Sequence, residues 1–344
     1  MSAKKVTMTD IARDAKVGIA TVDRVLNKRT PVKASTERKV LEAARRLGFA
    51  LEQSRYRQAG GQSAVTLRMG FILLQQSHSF YHQLAQMLEQ AAMPWHNPTQ
   101  PPVFLHYDIN AIDDMVAAID RLSDEVDVIG IVALDNPLIR HAITQAIDKG
   151  VRVFTLLSDM AVAQRTGYIG LDNQKAGRTA GWAIDRLCRH EGEIGIIIGD
   201  NRFICQESCE ISFRSYLREH GKGERVLEPV RSYERADIAR QVTDAMLRDY
   251  PSLTAIYAPC GGVEGIIDAL QAHQRQHQVM LICHGPVENG ELALIDGTID
   301  LMITHRLPAL ADATINAFLQ ASGQSQATFI NALQPFDLLT KENL

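Results

Sequence analysis

From residue 67 onward the chain repeats one unit, a short apolar run rich in β-branched residues followed by a longer stretch with helical periodicity. The runs are RMGFILLQQ, PVFLHYDI, VIGIVALD, VRVFTLLSD, EIGIIIGD, TAIYAPCG, QVMLICHG and DLMITHRL. Each is apolar at consecutive positions and bounded by polar or turn residues, so both of its faces call for burial, the condition of a strand inside a parallel sheet. Between them lie segments such as FYHQLAQMLEQAA, PLIRHAITQAIDKG and QKAGRTAGWAIDRLCRHEG, whose apolar residues recur at helical spacing. Strands alternating with helices cover both faces of a sheet, so residues 67–344 are predicted to form a doubly wound α/β body with parallel sheets.

Open parallel sheets bind ligands outside the carboxyl ends of their strands. Several runs end there in polar groups: Ser158 and Asp159, Asp200, Cys260, His284 and Arg306. They are candidate lining residues, set against the plainer reading of each as an ordinary loop residue.

The first part of the chain obeys a different rule. Thr7 with Asp10 three residues later can form a capping box that starts a helix. Met8, Ile11, Ala12 and Ala15 then give one apolar stripe. The KVG that follows breaks the pattern, and Gly18 can supply a tight turn or cap the next helix. In IATVDRVLN, Val22, Val25 and Leu26 face inward and leave Ile19, Ala20, Asp23, Arg24 and Asn27 outside. Two short helices joined by such a turn make a helix-turn-helix, whose second helix can enter a major groove. ASTERKVLEAARRLGF adds a third helical pattern, with Val40, Leu41, Ala44 and Leu47 on one face. The expected division is a helical head at 1–50, a linker at 51–66 containing the flexible AGGQS, and the body at 67–344.

Charge is polarised along this division. Residues 1–62 carry 14 Lys or Arg against 6 Asp or Glu, and the rest of the chain carries 22 against 34. A cationic head suits a polyanion, because each cation set against a phosphate releases a condensed counterion. A solvated, helix-rich surface would explain the charge alone equally well.

The five cysteines, Cys188, Cys205, Cys209, Cys260 and Cys283, are odd in number and form no CxxC pair, which points to a reducing compartment and neither a disulfide framework nor a zinc ribbon. No signal peptide opens the chain and no apolar run nears the roughly 20 residues of a membrane span, so a cytoplasmic location with no membrane partner is expected. Catalysis is not expected. Cys283 and His284 are adjacent on one strand and point to opposite faces, and Cys205 with Cys209 lacks further metal ligands at conventional spacing. No metal and no cofactor are expected, since the glycines of GDNRF and CGGVEG do not spell a dinucleotide loop.

VTMTDIARDAKVGIATVDRVLN, residues 6–27, resembles the opening of the lactose-repressor (LacI/GalR) family of bacterial transcription regulators. Thr7, Asp10, Ile11, Ala12, Ala15, Val17, Thr21, Val22, Arg24, Val25, Leu26 and Asn27 carry the match. The resemblance implies that Ile19 and Ala20 face base edges, that Arg24 also reaches the groove, and that Thr21 and Asn27 sit at the backbone phosphates, with Thr7 also among the DNA-binding residues. Arginine can bond a guanine's O6 and N7 together, which fits a reading role. Gly18 and Asp23 stand where the family usually has serine. The linker departs further: Phe49 keeps the family's aromatic, but Leu51 replaces a proline and Gln58 a leucine, so a minor-groove wedge is not expected and Arg55 and Arg57 are assigned to phosphates.

The body resembles the family's sensor domain and periplasmic sugar-binding proteins through VRVFTLLSDMAVAQRTGYIGLDNQKAGRTAG, with Asp172, Asn173, Ala176 and Gly177 matching a DN-x-x-A-G hallmark. It implies two βα lobes closing on a small polar effector, with Phe80, Tyr81, Ser158, Asp159, Arg202, Cys209, Cys260, His284 and Arg306 around it. Cys209, Gly285 and Arg306 depart from the arginine, aspartate and polar residue usual at those places. Arg306 and His284 suggest an acceptor-rich effector, a sugar acid, phosphorylated metabolite or polyol, unless Arg306 pairs with an acid such as Asp300. The expected whole is a dimeric, effector-modulated repressor of a palindromic DNA operator. Two rivals remain open at this stage: a DNA binder with no effector, and a periplasmic-type solute-binding protein.

Overall fold

The computed structural model describes residues 7–27, 32–33, 36, 39–40, 43–44, 67–75, 79–96, 99–323 and 328–344. The chain divides into two compact units, Met1–Val65 and Thr66–Leu344.

In the first unit, α1 (Met8–Ala15) begins with the capping box expected of Thr7 and Asp10. The Thr7 N–H donates to Asp10 Oδ2 at 2.9 Å, and the Asp10 N–H donates to Thr7 Oγ1 at 3.3 Å. Both bonds occupy donors that a helix start leaves unpaired. The left-handed residue that ends α1 is Lys16, at φ 53, and not Gly18. Gly18 instead opens α2 (Ile19–Asn27), its carbonyl accepting from the N–H groups of Thr21 and Val22. Ile11, Ala12, Ala15, Val22 and Val25 form a small core with Val40, Ala43 and Ala44 from the third helical pattern. Most of that third pattern, the side chains of Leu26 and Asn27, and the whole linker with Arg55 and Arg57 lie outside the described residues.

The second unit has two lobes. The chain builds the first with β1 (Met69–Leu74), α3 (Ser79–Ala92), β2 (Val103–Tyr107), α4 (Ile112–Glu125), β3 (Val128–Ile131), α5 (Pro137–Asp148), β4 (Arg152–Leu156) and β5 (Gly167–Leu171). It then crosses to the second, made of α6 (Asn173–Leu187), β6 (Ile194–Ile198), α7 (Ile204–Glu219), β7 (Val230–Arg231), α8 (Ala236–Asp249), β8 (Ala255–Ala258), α9 (Val263–Ala272), β9 (Met280–Gly285), α10 (Gly290–Ile295) and β10 (Leu301–His305). It returns through α11 (Leu307–Ser322) and β11 (Ile330–Gln334) to the first lobe and ends with β12 (Phe336–Leu339) in the second.

The first sheet runs β11-β5-β4-β3-β1-β2, parallel throughout. The second runs β12-β10-β9-β8-β6-β7, parallel except where β12 pairs antiparallel with β10. The eight apolar runs of the sequence are β1, β2, β3, β4, β6, β8, β9 and β10. Four further strands escape that pattern. β5 is fully buried but its GYIGL is broken by glycines, and β7 is only two residues long. β11 and β12 are edge strands of mixed exposure, so neither needs a continuous apolar run.

Core packing explains the return crossing. Phe318 of α11 stacks on Phe71 of β1, with ring centroids 5.6 Å apart, and tilts against Phe154 of β4 at 5.1 Å. Three aromatic rings far apart in sequence thus fill one first-lobe core.

Candidate functional site

On the first unit, α2 presents its outer face as the periodicity predicts. Ala20 and Arg24 are exposed, Thr21 and Asp23 are half-buried, and Ile19, a large apolar side chain, is 51% exposed. Thr7, besides its backbone bonds, donates its hydroxyl to Asp10 Oδ2 at 2.7 Å.

On the second unit, the strand ends of the two sheets open onto one cleft of about 810 Å³, within the range of small-molecule sites. The first lobe supplies Leu74 at the end of β1 and Gln75 after it, Phe80 and Tyr81 at the start of α3, Asp108 and Asn110 after β2, and Leu157 after β4. The second supplies Glu234 after β7, Cys260 after β8, His284 on β9 and His305 at the end of β10, with Gln206 and Cys209 from α7.

Glu234 is the most constrained of these. Tyr233 and Glu234 are consecutive non-glycine residues in the left-handed region, at φ 52 and 60, a conformation held against its intrinsic cost. The Glu234 carboxylate accepts from Gln206 Nε2 at 2.7 Å and from the Gly261 N–H at 2.9 Å. Gln206 Oε1 in turn accepts from the Gly199 N–H at 2.7 Å, so its amide cannot rotate without losing bonds. A side chain at Gly199 would collide with Glu234 Oε1, which is why that strand end must be glycine.

The two imidazoles are held neutral. Burial, with His305 adding to it, lowers His284 to about 3, and burial lowers His305 to about 4. His284 Nε2 lies 3.0 Å from the buried Tyr257 hydroxyl, whereas the buried His305 Nδ1 has no hydrogen-bond partner among the described residues. Phe80 reaches across from the first lobe to place its ring 5.6 Å from that of His305. The thiols are held protonated: burial pushes Cys205 up to about 12, and pushes Cys209 and Cys260 further still.

Of the residues expected around the effector, Phe80, Tyr81, Cys209, Cys260 and His284 line the cleft together. Four do not. Arg306 follows His305 on the same strand end, so it points the other way and forms an exposed ion pair with Asp337 of β12, its Nε 2.8 Å from both carboxylate oxygens. The partner suggested by sequence, Asp300, bonds the Leu281 N–H instead. Asp159 is taken up by Arg165, Thr155 and the Met160 N–H. Ser158 is buried and accepts from the Cys205 N–H at 3.3 Å. Arg202 is bound to Asp200 and reaches Asn110 of the first lobe at 3.4 Å, which makes it a contact between lobes. The segment RFICQESCEISF, expected at the site, brings in Gln206 as well as Cys209, whereas sequence reasoning missed Glu234, Asp108, Glu264 and His305. Only the polar ends of β2 and β10 carried a signal that could have found Asp108 and His305.

The DN-x-x-A-G hallmark has a local cause. Asp172 caps α6 by accepting from the Lys175 N–H at 3.1 Å. Asn173 donates to the Tyr168 hydroxyl at 3.1 Å and lines the cleft. Ala176 is buried, and a side chain at Gly177 would strike the Cys209 carbonyl and Ser212 Oγ, both 2.2 Å away.

Comparison with known proteins places these features. Residues 7–50 match the family of bacterial regulatory proteins, lacI family, and residues 69–325 match the periplasmic binding protein domain. Catabolite control protein A of Priestia megaterium is 41% identical over 87 residues, and that of Staphylococcus aureus (strain MRSA252) 40% over 88 residues. These matches span only about a quarter of each relative, 25% and 26%, and the same shares of this chain. Among solved structures, a solute-binding protein of Agrobacterium vitis bound with α-D-tagatopyranose superposes with a TM-score of 0.71 at 19% identity, covering 81% of this chain and 96% of that one. A glucose-galactose binding protein from Geobacillus stearothermophilus gives 0.69 at 18%, covering 80% and 98%. At such identities the likeness is one of fold. With residues 69–325 matched, the chain belongs to the periplasmic binding protein domain family, and a lacI-family domain precedes that region at residues 7–50.

Proposed function

We propose that the protein binds a palindromic DNA operator as a homodimer, acts chiefly as a repressor in the cytoplasm, and alters its operator affinity when a small polar, sugar-like effector occupies the cleft. The head would lay α2 in the major groove, with Ile19, Ala20 and Arg24 toward the bases. Thr7, Thr21, Asn27, Arg55 and Arg57 would hold phosphates. The same division is proposed for the chain: head 1–50, linker 51–66, body 67–344.

The observation that carries this reading is the joining of an exposed Ile19–Ala20–Arg24 face on a capped helix pair to a body with a roomy polar cleft. Two-fold pairing of such heads reads two half-sites. Recognition fits the cleft better than catalysis, because its thiols stay protonated and its imidazoles uncharged. An acid or phosphate effector, by contrast, loses its main support once Arg306 is paired with Asp337 outside the lining.

The test is selection of binding sites from random duplex DNA with the full-length protein at a stated salt concentration. A motif of two inverted half-sites is the expected product. Folded protein that enriches no motif would overturn the reading.

A further inference from the structure

We infer, on the reading of the cleft as the effector site, that the effector is an organic cation: a small polyhydroxy or similarly polar compound carrying a protonated amine. The charge inventory of the lining leads there. Among the described residues, Asp108, Glu234, Asp237, Glu264 and Glu288 face the cleft against one cation, Arg235. Arg235 is already committed, its Nε donating to Asp237 Oδ1 at 3.0 Å. Asp108, Glu264 and Glu288 form no ion pair among the described residues. A second guanidinium that could have lessened this excess, Arg306, is turned outward to Asp337.

The two histidines do not offset the carboxylates, since burial keeps both imidazoles uncharged near neutral pH. A cleft lined by one sign of charge between low-dielectric walls focuses the field, attracting the opposite charge and repelling its own. A neutral sugar would find donors and acceptors here but would leave that field unrelieved, and an acid or phosphate would work against it. An ammonium relieves it.

Two features fit the rest of such a molecule. The buried His305 Nδ1 lacks a partner among the described residues and can meet a hydroxyl or N–H according to its tautomer. Phe80 and Tyr81 supply ring surfaces on the facing lobe, 5.1 Å apart edge to face, against which a sugar's C–H face or an ammonium can pack. A metal ion is the poorer candidate, because no group of three His, Cys, Asp or Glu among the described residues is placed to hold one.

The experiment titrates full-length protein by calorimetry and thermal shift with matched probes. In the gluco, galacto and manno series these are the hexose, the hexosamine, the N-acetylhexosamine, the hexuronate and the hexose 6-phosphate, with putrescine and spermidine as non-sugar cations. At least one cation should bind about tenfold tighter than its uncharged counterpart at low salt, and the advantage should shrink near 0.5 M salt. Glu264→Gln, which can still accept the Glu288 N–H, should remove most of the preference while leaving Tm close to wild type. Tighter binding of a neutral or acidic member, or no binding by any cation, overturns the proposal. Operator affinity measured in parallel separates the two readings. A neutral or acidic ligand that changes DNA binding leaves the sensor role intact and sinks the cation. A cation that binds tightly without changing DNA binding does the reverse.

Discussion

Arg24 and the cleft histidines show what a single side chain contributes. A guanidinium bidentate to guanine is worth about 1–3 kcal/mol of discrimination against the wrong base. Arg24→Ala should therefore flatten the preference at one base pair of each half-site, read by competition with operators mutated there. Thr21→Ala should instead weaken all sequences alike, as loss of a phosphate contact does. The histidines act on stability. Their folded values, about 3 and about 4, lie below the ordinary 6.5. The unfolded chain therefore takes up protons that the folded chain refuses as pH falls through that interval, and stability is full above 6.5 and drains below it. Tm should decline as pH falls from 6.5 toward about 4, and His305→Asn should flatten the decline. A profile that the substitution leaves unchanged would remove His305 from this account. Asp185, held below 3.8 by the hydrogen bond from Lys222, stabilises the fold above that value and loses its contribution only as pH falls further.

Helices and strands were legible from sequence in proportion to how far local pattern decided them. The capping box, the α2 face and eight strands follow from residue types read in order. β11 and β12 did not, because an edge strand with one open side has no need of a buried run. The cleft's acids were missed for a related reason: Glu234 sits beyond a two-residue strand, and only the fold brings it against Gln206 and Gly261. Arg306 misled through its place one residue past His305, since a strand alternates its faces. The close approach of α6 and α7 gives a test at this scale. Gly177→Ala places a methyl against the Cys209 carbonyl and Ser212, and overpacking of this kind costs about 1–3 kcal/mol. Urea unfolding should show that loss. Because α7 carries Gln206 and Cys209, effector affinity should drop as well.

Across the whole sensor unit, the lobes are already in touch. Phe203, from the loop before α7 in the second lobe, is buried in the first-lobe core. The Asp135 N–H donates to the Arg202 carbonyl at 3.0 Å, and the Cys205 N–H to Ser158. These contacts favour one relative placement of the lobes, the quantity that the proposed effector would bias to reach DNA, and such couplings typically amount to about 1–3 kcal/mol. Phe203→Ala should weaken effector binding and reduce the effector's influence on operator affinity, measured by DNA titrations with and without ligand. Retained coupling would place the signal elsewhere. The crossing chain has a consequence in time. Phe318, which completes the first lobe's core, and β11, which completes its sheet, are synthesised only after all of the second lobe except its edge strand β12. The lobe that leaves the ribosome first is thus the lobe that must wait, its aromatic interior open to solvent or to a chaperone, until α11 and β11 arrive to close it.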